Sequence, residues 1–370
     1  MFSADFYMPT RLIFGDDALT RGAEFLAKAG RHALLVTGRS SAKRSGAQDA
    51  VTGLLDSLGI KYTVYDGVVE NPPLYDCYEA GKMAREAGVD FVIGIGGGSP
   101  LDAAKAIAVF ATNDMAPEAI FEDAAGRAPA LPIFAVPTTA GTGSEANNYS
   151  ILTLPGGLQK RTVKAPDTWP RASFIVPRFG ATMSGAVTLS TALDAFAHAM
   201  ESYLSPRSTV YSEAAAIFAA REIFDVISAL PETYDSTMRE RLALAATVAG
   251  IAISITGTGF PHPLGYSLTL LDGIPHGRAC AAFAGDFITY NQKSEKGRER
   301  IEKFTALIGT KPRALAAFLP GVADVTLSMT EAEIAEHIDL IAGAKNYTNC
   351  PYVLSKEEIF DIYRSHFGKK

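Results

Sequence analysis

Three imidazoles and one carboxylate in this chain have the spacing of a metal site. Asp194 and His198 stand four residues apart in Leu-Asp194-Ala-Phe-Ala-His198, and His262 and His276 follow downstream. Such a donor set encloses a divalent first-row cation and leaves a position open for a substrate oxygen. On a helix, residues at i and i+4 share one face, so Asp194 and His198 point the same way. Thr191 to Asp194 has the look of a capping box, which predicts Asp194 in the first turn of its helix. His262 lies in Gly257-Thr-Gly-Phe-Pro-His262-Pro-Leu-Gly265 and His276 in Gly273-Ile-Pro-His276-Gly277. Proline and glycine around both predict stiff, non-repeating backbone near helix ends. His32, His337 and His366 lack such surroundings and read as structural.

A second kind of chemistry lies upstream. Phe91-Val-Ile-Gly-Ile-Gly96-Gly97-Gly98-Ser99-Pro100-Leu-Asp102 reads as a strand running through glycines into a helix. Glycines let backbone approach a pyrophosphate closely, and free N–H groups at a helix start favour an anion. Ser99 is expected to cap that helix, with Pro100 at its first position. The run is not a strict G-x-G-x-x-G, because Ser99 replaces the last glycine. Pro137-Thr138-Thr139-Ala-Gly141-Thr142-Gly143-Ser144-Glu145 follows another strand, and its hydroxyls and glycines suit a ligand crevice at a sheet's carboxyl end. The turn Thr37-Gly38-Arg39-Ser40-Ser41-Ala42-Lys43-Arg44 bears on which dinucleotide binds. An acidic side chain there would hold the ribose hydroxyls of NAD and repel a 2′-phosphate; its absence, beside basic residues, leans toward NADP.

The elements that must carry these groups follow from periodicity. Strands are predicted at 32–37, 61–65, 91–95 and 131–136, alternating with helices at 45–58, 75–87 and 101–110. That alternation implies an open, mostly parallel sheet covered by helices. Beyond about residue 180, where Pro177 and Gly180 punctuate the chain, Ala-, Leu-, Glu- and Met-rich helical spacing takes over. We expect an α/β dinucleotide-binding domain over 1–179 and an all-α domain over 180–370. At 370 residues two domains are the natural division, and a hydrophobic share of 48% is ample for two cores. A net charge of -6 argues against nucleic acid as partner. Cys77, Cys280 and Cys350 show no disulfide or metal spacing, which points to a reducing compartment. The first residues show no secretory pattern, and Leu242–Ile255 reads as a buried helix rather than a membrane span. A cytoplasmic protein without membrane contact is expected.

Together, the Gly96-Gly97-Gly98-Ser99-x-x-Asp102 loop, the Pro137–Glu145 loop, the Asp194/His198 pair, His262 and His276 resemble the iron-containing (group III) alcohol dehydrogenases. The likeness runs through the whole chain, to the Ala344-Lys345-Asn346 region and the final helix. It implies that Asp194, His198, His262 and His276 ligate Fe2+, or Zn2+ or another divalent ion, in a cleft between the two domains. It also implies that Gly96, Gly97, Gly98, Ser99 and Asp102 hold the pyrophosphate, and that Thr138, Thr139 and Thr142 line the nucleotide cleft. Lys160 matches the family's cofactor-contacting lysine, with Lys164 as competitor. Gly38 stands where NAD-preferring members carry Asp, which strengthens the lean toward NADP, with Ser40 and Ser41 beside it. Many members have a second histidine four residues after the third ligand; here that place is Tyr266, so a proton-relay role cannot pass over unchanged. Tyr266 would instead stack on the nicotinamide or donate a hydrogen bond.

The implied reaction is reversible hydride transfer between NAD(P)(H) and a small primary alcohol or aldehyde, in a homodimer by family expectation. Glycerol dehydrogenases and dehydroquinate-synthase-like lyases share the scaffold, but the Asp194/His198 pair counts against both. A non-catalytic nucleotide or metal sensor is the remaining alternative. For an anionic substrate, Arg278 and Lys345 are the conceivable cations.

Overall fold

The computed structural model describes residues 4–369. Six strands form one all-parallel sheet: β1 (Arg11–Phe14), β2 (His32–Gly38), β3 (Lys61–Val68), β4 (Phe91–Gly96), β5 (Ile133–Pro137) and β8 (Ala172–Ile175). Their order is β1-β8-β5-β4-β2-β3. β4 is buried at every residue and β2 at all but Gly38, so both read as unbroken apolar runs, as strands covered on two faces must. Alternate side chains feed opposite cores. Leu34, Val36 and Val92 join one, with Ile107 and Phe110; Ala33, Leu35, Phe91, Ile93 and Ile95 join the other, with Phe134 and Phe174. Helices α1 (Ala47–Ser57), α2 (Leu74–Glu86) and α3 (Gly98–Thr112) are the crossovers.

The remaining two strands, β6 (Tyr149–Thr153) and β7 (Lys160–Lys164), make an antiparallel hairpin. Its turn contains Pro155-Gly156-Gly157, and both glycines have positive φ, which side-chain-bearing residues rarely adopt. The hairpin, β1 and β8 are elements that hydrophobic periodicity did not predict.

After Pro177–Gly180 the chain is helical. The principal helices are α4 (Gly185–Leu204), α5 (Val210–Ile227), α6 (Ser236–Thr256), α7 (Pro261–Asp272), α8 (His276–Ala282), α9 (Ala284–Asn291), α10 (Glu295–Leu307), α11 (Pro312–Ala323), α12 (Glu331–Ile341) and α13 (Lys356–Phe367). Among the described residues, no single helix is long and apolar enough to cross a membrane. Two compact units result. One comprises Tyr7–Ser184 with Thr233–Gly250; the other comprises Gly185–Glu232, Ile251–Lys370 and the segment ending at Phe6. All three cysteines are buried and none is in a disulfide.

In the helical unit α4 is the central element. Ala192, Ala195, Ala197 and Ala199 are at most 2% exposed and let neighbouring helices come close. Phe196 and Tyr203 pack on Phe304 of α10, with centroids 6.2 and 5.2 Å apart. The expected capping box at Thr191 is not there. The helix starts at Gly185, and the Thr191 hydroxyl bonds back to the Thr188 carbonyl (3.1 Å), so hydroxyl-bearing residues are accommodated inside it. Asp194 is therefore a mid-helix residue, fixed on both sides by regular backbone.

Candidate active site

Asp194, His198 and Glu201 follow one another at i, i+4 and i+7 along α4 and are all buried. Opposite them, His262 is the second residue of α7 and His276 the first of α8. Two glycines make this convergence possible. A Cβ on Gly277 would stand 1.8 Å from the Ser190 carbonyl oxygen, and one on Gly265 would stand 2.9 Å from the Cys280 nitrogen. The backbone of α8 thus lies directly against α4 on one side and α7 on the other. The turn before α7 is pinned by Asn349, whose Nδ2 donates to the carbonyls of Thr256 and Thr258, both at 2.9 Å.

The result is a compact donor cluster. Asp194 Oδ1 lies 3.6 Å from His198 Nε2, 3.6 Å from His262 Nε2 and 3.7 Å from His276 Nε2. Neighbouring ligands on a tetrahedral first-row cation stand about 3.4 Å apart when the bonds are near 2.1 Å, so these separations suit a shared ion. Two of these atoms are otherwise unpaired. Asp194 Oδ1 and His262 Nε2 are buried with no hydrogen-bond partner among the described residues, and buried polar atoms seldom go unsatisfied.

Electrostatics agree. Burial opposes ionisation of Asp194, but His198, His276 and His262 outweigh it and hold its carboxyl well below the usual range. Burial likewise opposes a charged His262, yet the Glu201 and Asp194 carboxylates push its pKa up to about 10. Positive charge is favoured where these groups meet, whether carried by protons or by a divalent cation that takes their place.

Glu201 and Cys280 belong to this site and were not anticipated from the sequence. His262 Nδ1 lies 2.8 and 2.9 Å from the two Glu201 oxygens, and Glu201 also accepts the Gly259 N–H. Because a carboxylate only accepts, Nδ1 carries a proton and Nε2 is the nitrogen turned to the cluster. The i+7 spacing from Asp194 was the available signal. Cys280, four residues after His276, completes a group with Asp194, His262 and His276 whose ligand atoms all lie within 4.8 Å of one another. Tyr266 stacks on His276, with centroids 5.4 Å apart and planes at 20°. The other three histidines lie elsewhere, bonded to Thr63 (His32), Asp272 (His337) and Asp286 (His366).

The other sequence-predicted group assembles in the sheet unit, at the carboxyl ends of neighbouring strands. Thr37 pairs with Ile95 and Gly96 with Pro137, which brings Gly38, the Gly96–Ser99 loop and the Thr138 loop side by side. The chain runs outward from β2 to β3 on one side and from β4 to β5 on the other, so this is the switch point where open α/β sheets bind ligands. A Cβ on Gly97 would stand 3.3 Å from Thr139 Oγ1, and one on Gly98 would stand 2.6 Å from Thr142 Cγ2. Gly38 closes β2; Ser40 precedes and Ser41 opens the single turn Ser41–Arg44.

Three details correct or refine the sequence reading. The helix begins at Gly98 rather than at Pro100, and Ser99 does not cap it; its Oγ accepts the Asn71 N–H at 3.2 Å. Asp102 points inward: its oxygens accept from Ser144 Oγ (2.5 Å) and Ile151 N (3.0 Å), which fastens the second loop and the hairpin to α3. Lys160 Nζ reaches Asn71 Oδ1 at 2.8 Å, on the residue that also holds Ser99, whereas Lys164 lies over the Tyr149 ring. Asn71, at φ 55°, is thus a further member of this cluster.

Lys105 supports the whole arrangement from beneath. Fully buried, it donates to Ser144 O, Ser144 Oγ and Tyr149 O, each at 2.7 Å. Burial lowers its pKa to about 8 against the pull of Asp102 and Glu145. Gly143, at φ 62°, meets Gly250 of α6 backbone to backbone, and Thr247 Oγ1 on the same helix donates to Glu145 at 2.7 Å.

Comparison with known proteins gives these two clusters a common context. Residues 9–177 match the family model described as iron-containing alcohol dehydrogenase, and residues 188–367 match that of the C-terminal region of Fe-containing alcohol dehydrogenases. A solved iron-containing alcohol dehydrogenase from Thermotoga maritima superposes with a TM-score of 0.91 at 35% identity, covering 99% of each chain. The 1,3-propanediol dehydrogenase of Citrobacter freundii is 31% identical over 90% of this chain and 84% of its own length. The NADPH-dependent butanol dehydrogenase of Clostridium saccharobutylicum is 28% identical over 97% of this chain and 96% of its own.

Proposed function

This chain belongs to the iron-containing alcohol dehydrogenase family, and from that premise we propose that it reduces small aldehydes to primary alcohols, and reverses the step, with a nicotinamide dinucleotide. The observation that carries the reading is the buried meeting of Asp194 Oδ1 with three histidine Nε2 atoms at 3.6 to 3.7 Å. Asp194, His198, His262 and His276 would hold the cation, Fe2+ by family and Zn2+ or a similar ion by donor chemistry. When bound, such a cation supplies a Lewis acid that polarises a substrate oxygen and lowers an alcohol's pKa. The protein's own residues do the positioning. Glu201 fixes the tautomer and orientation of His262, and Tyr266 stacks on the His276 ring.

For the dinucleotide, Gly96, Gly97, Gly98 and Ser99 would bring backbone N–H groups to the pyrophosphate, with Thr138, Thr139, Thr142 and Lys160 around it. Asp102 would contribute by holding the loops in place. NADP is favoured over NAD: Gly38 carries no carboxylate to repel a 2′-phosphate, and Ser40, Ser41 and the basic side chains of Arg39, Lys43 and Arg44 follow it. A cytoplasmic homodimer fits the reading, and buried cysteines outside any disulfide suit a reducing compartment.

The test is direct. Metal-loaded protein should oxidise NADPH in the presence of short aliphatic aldehydes, with kcat/KM for NADPH about tenfold above that for NADH. A Gly38→Asp substitution should reverse that preference. No nicotinamide oxidation across an aldehyde panel would reject the proposed reaction, and equal use of the two dinucleotides would reject the NADP assignment.

A further inference from the structure

Lys105 stands in the middle of α3, fully buried, and its protons are spent on the second nucleotide loop and the strand that follows it. Nζ donates at 2.7 Å to Ser144 O, Ser144 Oγ and Tyr149 O, and Asn147 Oδ1 lies 3.4 Å away. The two carbonyls only accept, and the Ser144 hydroxyl gives its own proton to Asp102 Oδ1 at 2.5 Å. The three near partners are therefore all acceptors, and an ammonium has three N–H groups to meet them. A neutral amine has two, and its lone pair would face one of these oxygens. The segment so held reaches the nucleotide cleft. Ser144 N donates to Thr142 Oγ1 at 3.3 Å, and Asn147 Nδ2 donates to Gly143 O at 2.9 Å. Thr142 Cγ2 in turn lies where a Cβ on Gly98, the first residue of α3, would meet it at 2.6 Å. Lys105 thus ties the helix whose start would face the pyrophosphate to the loop that would flank it.

We propose that Lys105 is a positioning residue for the dinucleotide: its ammonium holds the 142–149 segment in the binding geometry, and loss of its proton at alkaline pH slackens that segment and weakens dinucleotide binding. The inference rests on the dinucleotide reading above. The charges acting on Lys105 are Asp102 on its own helix, with Oδ1 3.9 Å from Nζ, and Glu145 in the loop. Thr247 of α6 holds Glu145, while Cys77 of α2 and Lys160 of β7 act on Asp102. Burial outweighs the two carboxylates and brings the Lys105 pKa down to about 8, so the proton is exchanged where binding can be measured. The coupling is reciprocal. A dinucleotide that binds the protonated form more tightly raises the proton affinity of Lys105, so binding above pH 8 takes up protons.

Equilibrium binding reads this without turnover. The full-length, metal-loaded protein is titrated with NADPH in the absence of aldehyde, and the fluorescence of the dinucleotide is followed. Between pH 7 and 10 the Kd should rise about tenfold, the worth of one charge-assisted hydrogen bond. Calorimetry at about pH 8.5, in two buffers of different ionisation enthalpy, should show proton uptake on binding. Lys105→Met should bind about tenfold more weakly already at pH 7, with no further rise to pH 10 and no proton uptake. Its circular dichroism spectrum and metal content should match the wild type. A wild-type Kd independent of pH, or binding without proton uptake, would overturn the role of Lys105 and leave the dinucleotide site standing; both are read on the wild type, whatever the stability of the variant. An alkaline rise that persists in folded Lys105→Met would overturn it as well. No binding of NADPH or NADH by the wild type at pH 7 would overturn the dinucleotide reading itself and the inference with it.

Discussion

The two clusters are built on opposite principles. The helical unit gathers side chains: Asp194, His198, His262 and His276 come from three helices, and nearly every donor is buried with a fixed orientation. The sheet unit gathers backbone: at Gly96, Gly97 and Gly98 the useful feature is the missing Cβ, and the side chains beneath, Asp102, Lys105 and Ser144, bond to one another. A side-chain site fails when a donor is removed. A backbone site fails when an atom is added.

That contrast can be broken from either side. The largest effect is expected at the donors: Asp194→Ala should lower kcat/KM by about 10³-fold, because it removes the anion shared by three imidazoles. Steady-state aldehyde reduction checks this, and an unchanged NADPH affinity would show that the damage is confined to one cluster. Next, Glu201→Gln should weaken metal binding by about 10- to 100-fold by releasing the His262 ring, read by competition with a chromophoric chelator. Unaltered metal affinity there would mean that packing alone orients His262.

The complementary experiment adds an atom. Gly98→Ala places a methyl 2.6 Å from Thr142 Cγ2, so the KM for dinucleotide should rise about tenfold while metal content stays the same. Because the obstacle is a side chain, a Thr142→Ser partner substitution should recover part of the loss.

The smallest effect concerns stability and pH. Lys105 has a lowered folded-state pKa, about 8 against 10.5. Between these values the unfolded chain holds the proton and the native chain does not, so raising pH favours the native state across that window. Below about pH 8 the buried charge is present in the native state and this contribution is absent. Denaturant midpoints measured from pH 8 to 10.5 should therefore climb in wild type relative to Lys105→Met. A parallel course would show that Lys105 is not desolvated as its position implies.

Much of this was legible in the residues, and the reasons differ by region. β2 and β4 stood out because strands buried on both faces must be apolar throughout. The proposed metal donors stood out through the i, i+4 spacing of Asp194 and His198, the proline and glycine around His262 and His276, and the family resemblance of the whole set. β1 and β8 are only four residues long, too short for a period to register. The β6–β7 hairpin was missed because its outer strand alternates weakly, with Val163 its sole fully buried residue.

Local signals also misled where tertiary contacts outweighed them. Thr191 looks like a cap, but its hydroxyl is satisfied within a longer helix. Ser99 looks like a cap, but it serves the strained Asn71 turn. Glu201, Cys280, Asn71 and Asn349 carry no motif of their own. Their roles exist only once α4, α7 and α8, or β4 and the hairpin, are brought together.

The central claim is that Asp194, His198, His262 and His276 share one cation. Elemental analysis of protein purified without chelator addresses it most directly. The wild type should retain about one divalent metal per chain, and His262→Ala and His276→Ala should retain almost none while keeping the wild-type circular dichroism spectrum. Metal retained at the wild-type level in both folded variants would contradict the account.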